Sequence, residues 1–340
     1  MRWERTVTVV GCHVGGEDNH VITGGVLPPP GKTMFERKQY LETKGDDLRK
    51  WLLFEPRGKV TLCINLVTPA CHPDADAGFI IMESTDYPPM SGSNTICTTT
   101  VLLETGMLPM TEPETRLVLD SPAGLVPVKA SCRDGKVTSV EFTNVPAFAT
   151  HIGSAVEVEG LGTVPVDVAY GGAFFAIVDA RALGFEIAPH EARDLVAVGT
   201  RIKAAASEQL PVVHPENPDI NTVTFTMFVA PFEGPGCNSR NAVIVSPGRI
   251  DRCPCGTGTT ARIAALHARG LMGVGDSFIS ESIIGSEFVS RLVDTVDVGG
   301  TPGVNVTIAG QAWITGILQH GYDPTDPLRD GYTLPDTWFG

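Results

Sequence analysis

The sequence predicts an α/β protein that has more strands than helices and is built from two similar halves. Three observations support this: a composition rich in turn-forming residues, a majority of segments with strand periodicity, and an ungapped match between two parts of the chain. With 340 residues, 42% of them hydrophobic and 19% charged, the chain is long enough for two packed domains of ordinary size. Disorder, a collagen-like chain and a mini-protein scaffold are thereby excluded.

The composition indicates many turns and an acidic surface. The 37 glycines and 26 prolines occur without a short period, which is typical of tight turns and of places where backbones approach closely. The formal net charge of −14 disfavours nucleic acid or an anionic membrane as the main partner. The sequence therefore favours an enzyme or binding protein for small molecules.

The N-terminus and the cysteines indicate a reduced, cytoplasmic environment. Charged residues precede a short apolar stretch at residues 7–10, so a secretory signal is not expected. No apolar run approaches the roughly 20 residues that a membrane-spanning helix needs. Eight cysteines in a chain of this length are too dilute for a disulfide scaffold, and we expect free thiols.

Periodicity predicts the secondary structure. Alternation of apolar and polar residues predicts strands at residues 5–10, 59–66, 117–119, 126–130, 136–142, 173–178, 221–229, 241–245, 304–308 and 312–318. Helical patterns cover residues 33–44 and on to 53, 95–104, 189–207 and 258–268. Residues 189–218 are predicted to be a peripheral helical insert.

An internal match predicts how the domains are organised. Residues 90–106 align without a gap on residues 254–270, an offset of 164 that pairs Ser91 with Cys255 and includes four identities. Each segment is a glycine-containing loop that enters a helix and leaves it at a glycine. We expect two equivalent helix N-termini to face each other across a cleft. The first half-domain is predicted to span residues 1–150 with about 304–340, and the second residues 151–303.

The second loop has the groups needed to bind and deprotonate an amino acid. A helix N-terminus offers unpaired N–H groups and a positive dipole, which bind anions and lower the pKa of a thiol such as Cys255. Gly256 and Thr257 let the backbone approach a carboxylate, and Asp251 can pair with an ammonium group. The loop thus predicts a site that brings a thiolate to the Cα of an amino acid.

The first loop offers a hydroxyl where the second has sulfur. Ser91 is followed by Gly92 and Ser93, which supply a second set of amides. Catalytic groups on opposite faces of one carbon are what proton abstraction and return require, but a hydroxyl is a poor unaided base. If a leaving group adjoins the carbanion, only one face needs a strong base, and the hydroxyl is free to deliver or relay a proton.

Other interpretations compete with this one. A short glycine-rich loop before a helix often has no chemical role. Zinc at Cys253 and Cys255 would need a second pair of ligands at structural spacing, which is absent, so no metal is expected. A non-catalytic imino-acid binding protein would have no need for the combination of Asp251 with Cys255.

Several motifs resemble the proline racemase family, which includes hydroxyproline 2-epimerases and trans-3-hydroxy-L-proline dehydratases. The resemblance covers nearly the whole chain. It is carried by HVGGE at residues 13–17, MSGSN at 90–94, AYGGAFFA at 169–176, DRCPCGTG at 251–258, IGSEF at 284–288 and ITG at 314–316. The run at 251–258 is the most specific. The resemblance implies a diaminopimelate epimerase-like architecture, with a mixed sheet around a central helix in each half, the active site in the interdomain cleft, and no cofactor.

The chain departs from the family pattern at the first motif. Family racemases carry cysteine there and commonly histidine two residues later, whereas this chain has Ser91 and Ser93. The departure argues against plain proline racemase activity and resembles the subgroup with a Ser/Cys pair that acts on hydroxyprolines. In the better-known dehydratases of the family the second thiol is lost instead, usually to threonine.

The leading prediction is dehydration of trans-3-hydroxy-L-proline to Δ1-pyrroline-2-carboxylate. The alternatives are 2-epimerisation of 4- or 3-hydroxyproline, both activities together, or an isomerase of this architecture with another substrate. The expected partner is the small-molecule substrate, without nucleic acid or membrane, and a homodimer is one candidate assembly. The predicted site consists of catalytic Ser91 and Cys255, either of which could be the base, with Gly92, Ser93, Gly256 and Thr257 for the carboxylate and Asp251 for the ring nitrogen.

Overall fold

The computed structural model describes residues 2–338, which divide into two compact units. Unit 1 comprises the described part of residues 1–142 and 310–340, and unit 2 comprises residues 143–309. The chain passes between the units at residues 142–143 and 309–310, whereas the sequence placed these borders near residues 150 and 304.

Unit 1 is a mixed sheet with three helices among its described residues. The strands are β1 (Arg5–Val14), β2 (Glu17–Gly24), β3 (Cys63–Thr68), β4 (Ala77–Met82), β5 (Glu114–Ser121), β6 (Gly124–Arg133), β7 (Lys136–Thr143) and β17 (Ala312–Tyr322). The helices are α1 (Met34–Lys44), α2 (Asp47–Leu53) and α3 (Gly92–Glu104). The strands pair in the order β17-β1-β2-β3-β4-β5-β6-β7, with β2–β3 and β4–β5 parallel and the other pairs antiparallel.

Unit 2 is a closed barrel of eight strands. The strands of this unit are β8 (Ala147–Val158), β9 (Gly162–Tyr170), β10 (Phe174–Asp179), β11 (Val223–Val229), β12 (Asn238–Val245), the two-residue β13 (Arg249–Ile250), β14 (Ser277–Ser282), β15 (Glu287–Val298) and β16 (Thr301–Gly310). Its helices are α4 (Ala192–Gln209) and α5 (Gly256–Ala268). The barrel runs β8-β9-β10-β11-β12-β14-β15-β16 and closes where β16 pairs with β8.

The two units have the same topology. Read in spatial order from β17 and from β8, both follow the pattern antiparallel, antiparallel, parallel, antiparallel, parallel, antiparallel, antiparallel. Parallel neighbours need a crossover connection, and in each unit helices provide it. Helix α3 connects β4 to β5, and α5 lies between β12 and β14. The predicted α/β fold with two similar halves is confirmed.

Helices α3 and α5 are the central helices of the two units. Each has 13 residues, and their first and last residues are related by the same offset of 164 that the sequence match gave. Nearly all their residues are buried, as expected for a helix surrounded by a sheet. Each ends before a left-handed glycine, Gly106 with φ 72° and Gly270 with φ 71°. None of the helices in residues 2–338 is both long and apolar enough to cross a membrane.

Helix α4 corrects the prediction of a peripheral insert. It packs against β11, and its side chains Leu195, Ile202 and Ala206 are fully buried in the core of unit 2. Helix α4 provides the crossover between the parallel strands β10 and β11, so its apolar face covers the sheet. It is therefore part of the architecture of the unit.

The AYGGAFFA segment positions the start of α5. A Cβ atom at Gly171 would lie 2.3 Å from the carbonyl oxygen of Thr257 and 2.5 Å from the nitrogen of Ala261. Both are backbone atoms of α5 and cannot move without displacing the helix. Only glycine at residue 171 allows α5 to lie this close to the segment between β9 and β10.

We expect Gly171→Ala to destabilise unit 2 by about 2–3 kcal/mol, because backbone clashes in a packed core relax only partly. A matched control is Gly316→Ala in β17, where an added Cβ has no neighbour within 4 Å. Thermal unfolding should show a Tm at least about 5 °C lower for Gly171→Ala and little change for Gly316→Ala. Equal melting temperatures for the two variants would contradict the close contact.

Candidate active site

Cys255 lies at the N-cap position of α5 in an unfavourable backbone conformation. Its φ of 63° and ψ of 104° are rare for a residue with a side chain, and such strain persists where the surrounding structure imposes it. The first turn of the helix fixes this residue, because the amide of Thr259 donates to the Cys255 carbonyl at 2.8 Å. The side chain is buried, with 8% of its surface exposed.

Three groups surround the sulfur atom. The amide of Gly258 donates a hydrogen bond to Sγ, and the Thr257 hydroxyl lies 3.5 Å from it. The Asp251 side chain also hydrogen-bonds the thiol. A Cβ atom at Gly258 would lie only 3.2 Å from the Phe175 ring and 3.3 Å from Sγ, so glycine permits the amide to approach. The structure thus brings together Asp251, Cys255 and Thr257, as the sequence predicted for one loop.

The pKa of Cys255 is raised, and the prediction of a lowered thiol pKa is wrong. Burial is the largest cause, because the interior disfavours the thiolate, and the negative charge of Asp251 raises the pKa further. The hydrogen bonds from Thr257 and Gly258 act in the opposite direction but are weaker. At neutral pH the free protein therefore holds Cys255 as a protonated thiol.

Asp251 has a partner of its own beside the thiol. Its Oδ1 lies 3.5 Å from the Arg249 guanidinium, and its amide donates to the Val243 carbonyl at 3.0 Å. Arg249 therefore offsets part of the charge of Asp251 while leaving the carboxylate next to Sγ. The loop presents a carboxylate and a thiol together, at the start of a helix whose first residues are Gly256 and Thr257.

We expect Asp251→Asn to lower the pKa of Cys255, because the thiolate would no longer form beside a negative charge. The pH dependence of alkylation by iodoacetamide, followed by mass spectrometry of the peptide containing Cys255, should shift to lower pH. Asp297→Asn removes an exposed carboxylate of the same unit and serves as the matched control, with no expected shift. An unchanged profile in Asp251→Asn would contradict the assigned cause.

Ser91 lies at the corresponding position of α3. Its backbone is extended, with φ −154° and ψ 130°, and its side chain makes no capping hydrogen bond to the helix backbone. Instead, Asn94 Nδ2 donates to Ser91 Oγ at 2.9 Å, and Ser93 Oγ lies 3.3 Å away. The structure brings Ser91, Gly92 and Ser93 together at the start of the helix.

A chain of amides leads to the Ser91 hydroxyl. Asn65 in β3 donates to Asn94 Oδ1 at 2.7 Å and to the His20 carbonyl at 3.1 Å, and both asparagine side chains are fully buried. Because Asn94 donates to Ser91 Oγ, the proton of the Ser91 hydroxyl points away from Asn94. This arrangement stabilises negative charge on the oxygen and suits a proton donor better than a base. The sequence analysis did not identify Asn65 or Asn94.

The two half-sites differ at a matched position. Asn94 corresponds to Gly258, so an amide side chain contacts the hydroxyl in unit 1, whereas a backbone amide contacts the thiol in unit 2. Across residues 2–338 no three His, Cys, Asp or Glu side chains are placed to hold a metal ion.

The chain is similar to several known proteins. The proline racemase family model matches residues 9–333. A hydroxyproline epimerase from Agrobacterium vitis, solved with bound trans-4-hydroxy-L-proline, is 44% identical, with a TM-score of 0.91 over 99% of this chain and 98% of that one. A probable proline racemase from Agrobacterium radiobacter K84, solved with bound carbonate, is 42% identical, with a TM-score of 0.90 over 98% of each chain.

A more distant likeness concerns the fold alone. A phenazine biosynthesis protein of the PhzF family from Bacillus anthracis is 12% identical, with a TM-score of 0.58 over 93% of this chain and 99% of that one. The strand-rich fold is therefore shared well beyond the proteins that are similar in sequence.

Proposed function

Because the chain belongs to the proline racemase family, we propose that it is a hydroxyproline 2-epimerase that acts on 4-hydroxyproline. The observation that carries this proposal is the likeness, over almost the full length of both chains, to a hydroxyproline epimerase whose structure holds trans-4-hydroxy-L-proline. The leading prediction from the sequence, dehydration of trans-3-hydroxy-L-proline, becomes the second candidate.

In this proposal Ser91 and Cys255 exchange protons with the Cα of one substrate. One group removes the Cα proton, the electron pair stays on Cα and its carboxylate, and the other group returns a proton to the opposite face. The amides of Gly92, Ser93, Gly256 and Thr257 hold the carboxylate, because the starts of helices α3 and α5 present free N–H groups. No atom is gained or lost in the reaction.

Asp251 links substrate binding to the reactivity of the thiol. A prolyl ring nitrogen carries a positive charge and pairs with the Asp251 carboxylate. Since the charge of Asp251 raises the pKa of Cys255, a cation at Asp251 lowers that pKa. The substrate therefore helps to ionise the thiol that acts on it, which explains how a buried, protonated cysteine serves as a base.

Ser91 limits the rate of the epimerase reaction. A hydroxyl loses its proton far less readily than a thiol, and its contacts with Asn94 and Ser93 include no carboxylate or imidazole that could accept the proton. The hydrogen bond from Asn94 stabilises the alkoxide only in part. We therefore expect slower inversion than a pair of thiols would give.

Proton NMR in D₂O tests the proposal. Purified protein incubated with trans-4-hydroxy-L-proline should form the C2 epimer with deuterium at C2. Absence of the epimer and of any C2 exchange, at enzyme concentrations up to that of the substrate, would overturn the proposal. Tight binding of hydroxyproline in calorimetry without turnover would instead favour a non-catalytic binding protein.

Dehydration of trans-3-hydroxy-L-proline is the second candidate, and the weakness of the Ser91 hydroxyl as a base favours it. In this substrate the C3 hydroxyl lies on the same ring face as the Cα proton. One group on that face can take the Cα proton and return it to the departing hydroxide, giving water and an enamine that tautomerises to Δ1-pyrroline-2-carboxylate. Only one competent base is needed, which matches a protein with one thiol and one hydroxyl.

The position of the substrate hydroxyl separates the two activities. The hydroxyl of 4-hydroxyproline is not adjacent to Cα, so loss of water cannot follow directly from the carbanion. Parallel incubations with trans-3- and trans-4-hydroxy-L-proline therefore distinguish the candidates. Pyrroline formed from the 3-hydroxy substrate, without an epimer from the 4-hydroxy substrate, would replace the epimerase proposal by the dehydratase.

A further inference from the structure

Unit 2 contains a cavity with polar and apolar walls that does not include Cys255. Its volume is about 400 Å³, and its walls come from β8 to β11, the segment after β11 and the second half of α5. Arg262 lies on α5 seven residues after Cys255, which corresponds to about 10 Å along the helix axis. The residues that matter for its chemistry are Asp167, Asp179, Phe232, Arg262, Leu266 and Arg269.

Arg262 is a buried cation without a partner in the part of the chain that the structure describes. Only 9% of its surface is exposed, and Nε has no hydrogen-bond acceptor. Burial lowers the pKa of Arg262 to about 10, so the guanidinium is still charged at neutral pH. A buried charge with unsatisfied donors is costly unless something else satisfies them.

The two carboxylates of the cavity accept hydrogen bonds from groups other than Arg262. Asp167 accepts two hydrogen bonds from Arg269, at 2.8 and 2.6 Å, and one from the amide of Gly153 at 2.8 Å. Asp179 accepts from the amide of Arg181 at 2.9 Å. The negative charges of Asp167 and Asp179 raise the pKa of Arg262 from a distance. Neither carboxylate forms an ion pair with Arg262. The donors of Arg262 are thus available to a ligand.

We propose that this cavity binds a small monocarboxylate whose oxygen atoms accept hydrogen bonds from Arg262. The planar guanidinium matches the two oxygen atoms of a carboxylate. The apolar walls at Phe232 and Leu266 suit a compact apolar body. The carboxylates of Asp167 and Asp179 disfavour an anion with two charges, such as phosphate.

The internal match indicates that Arg262 is not needed to build a central helix. The matched residue of α3 is Thr98, which is fully buried. A central helix of the same length therefore forms with a small side chain at this position. The arginine is specific to unit 2, as expected for a binding site and not for a common structural element.

Calorimetry with benzoate as the probe tests the proposal. The full-length protein should bind benzoate at least about ten-fold more tightly than Arg262→Met, while Arg262→Lys should have intermediate affinity because it keeps the charge but loses the planar fork. Inorganic phosphate should bind at least about ten-fold more weakly than benzoate. Equal benzoate affinity in the wild type and Arg262→Met, or phosphate binding tighter than benzoate binding, would overturn the proposal.

Two controls separate this site from the proposed epimerase chemistry. Cys255→Ala should keep the benzoate affinity within about two-fold, so that binding is tested in a protein without turnover. Arg262→Met should have a higher Tm than the wild type without benzoate, because an unpaired buried charge is removed, and should show no rise in Tm with benzoate.

If Arg262→Met does not fold, crystals of the wild type soaked in 4-bromobenzoate provide the test. An anomalous bromine peak in the cavity beside Arg262 would support the proposal, and its absence from that cavity would overturn it.

Discussion

Replacement of Cys255 by serine is expected to lower hydroxyproline turnover by at least about a thousand-fold without unfolding the protein. The variant would leave two hydroxyls, and neither of them loses its proton as readily as the thiol. The serine side chain fits the space of the thiol, so the backbone of α5 has no reason to move. Initial rates of inversion and of pyrroline formation, measured at saturating substrate, give the change in kcat.

Cys237→Ser is the matched control for this prediction. Cys237 is a free, partly exposed thiol of the same unit, and we expect its replacement to leave kcat within about two-fold. Retention of more than about a tenth of wild-type turnover by a folded Cys255→Ser variant would remove the thiol from the mechanism. A comparable loss in Cys237→Ser would show that cysteine replacement acts through the fold.

Replacement of Ser91 by cysteine should raise the rate of inversion at least about ten-fold. A second thiol is a much better base than a hydroxyl, and it would keep the N–H of Asn94 and the start of α3 as stabilising neighbours. Each face of Cα would then have a group able to take a proton. The kcat for 4-hydroxyproline in both directions measures the gain.

Ser91→Thr separates the effect of sulfur from the effect of size. It keeps the hydroxyl and adds a methyl group, so no gain in inversion is expected. If Cys255 is the single base of dehydration, that reaction gains nothing from the second thiol, and the ratio of inversion to dehydration should rise in Ser91→Cys. A folded Ser91→Cys variant with unchanged inversion would contradict the idea that the hydroxyl limits the reaction.

The parts of the fold that were predictable are those with a strong local pattern. Strands β5, β6 and β7 of unit 1 follow from period-two alternation, because much of each strand alternates between buried and more exposed residues. The internal match predicted two equivalent helices that end at glycine. Both helices begin two or three residues before the predicted starts, because Gly92 and Gly256 are already helical.

The parts that were missed depend on tertiary surroundings. All six residues of β4 are buried, so its sequence has no alternation to detect. Strand β8 shifts register twice where it pairs with β9, which breaks its periodicity. The prediction of a peripheral α4 failed because an amphipathic helix looks the same in sequence whether it covers a sheet of the core or an outer surface.

The candidate site shows the same division between local and long-range information. Ser91, Cys255 and their flanking glycines were identified because each lies within one short segment at a helix start. The pKa of Cys255 was predicted in the wrong direction, since the helix dipole is visible in the sequence and burial is not. The Asn65–Asn94 hydrogen bond joins residues 29 positions apart, one in a strand and one in a helix. It can therefore be recognised only in the folded structure.

The claim that Ser91 and Cys255 exchange protons with the same carbon is tested most directly by comparing wild type and Ser91→Ala on trans-4-hydroxy-L-proline in D₂O. The wild type should place solvent deuterium at C2 of the epimer from the first turnover, and Ser91→Ala should lose inversion by at least about a hundred-fold. Inversion at the wild-type rate in Ser91→Ala, or an epimer that keeps the original hydrogen, would contradict the two-group mechanism.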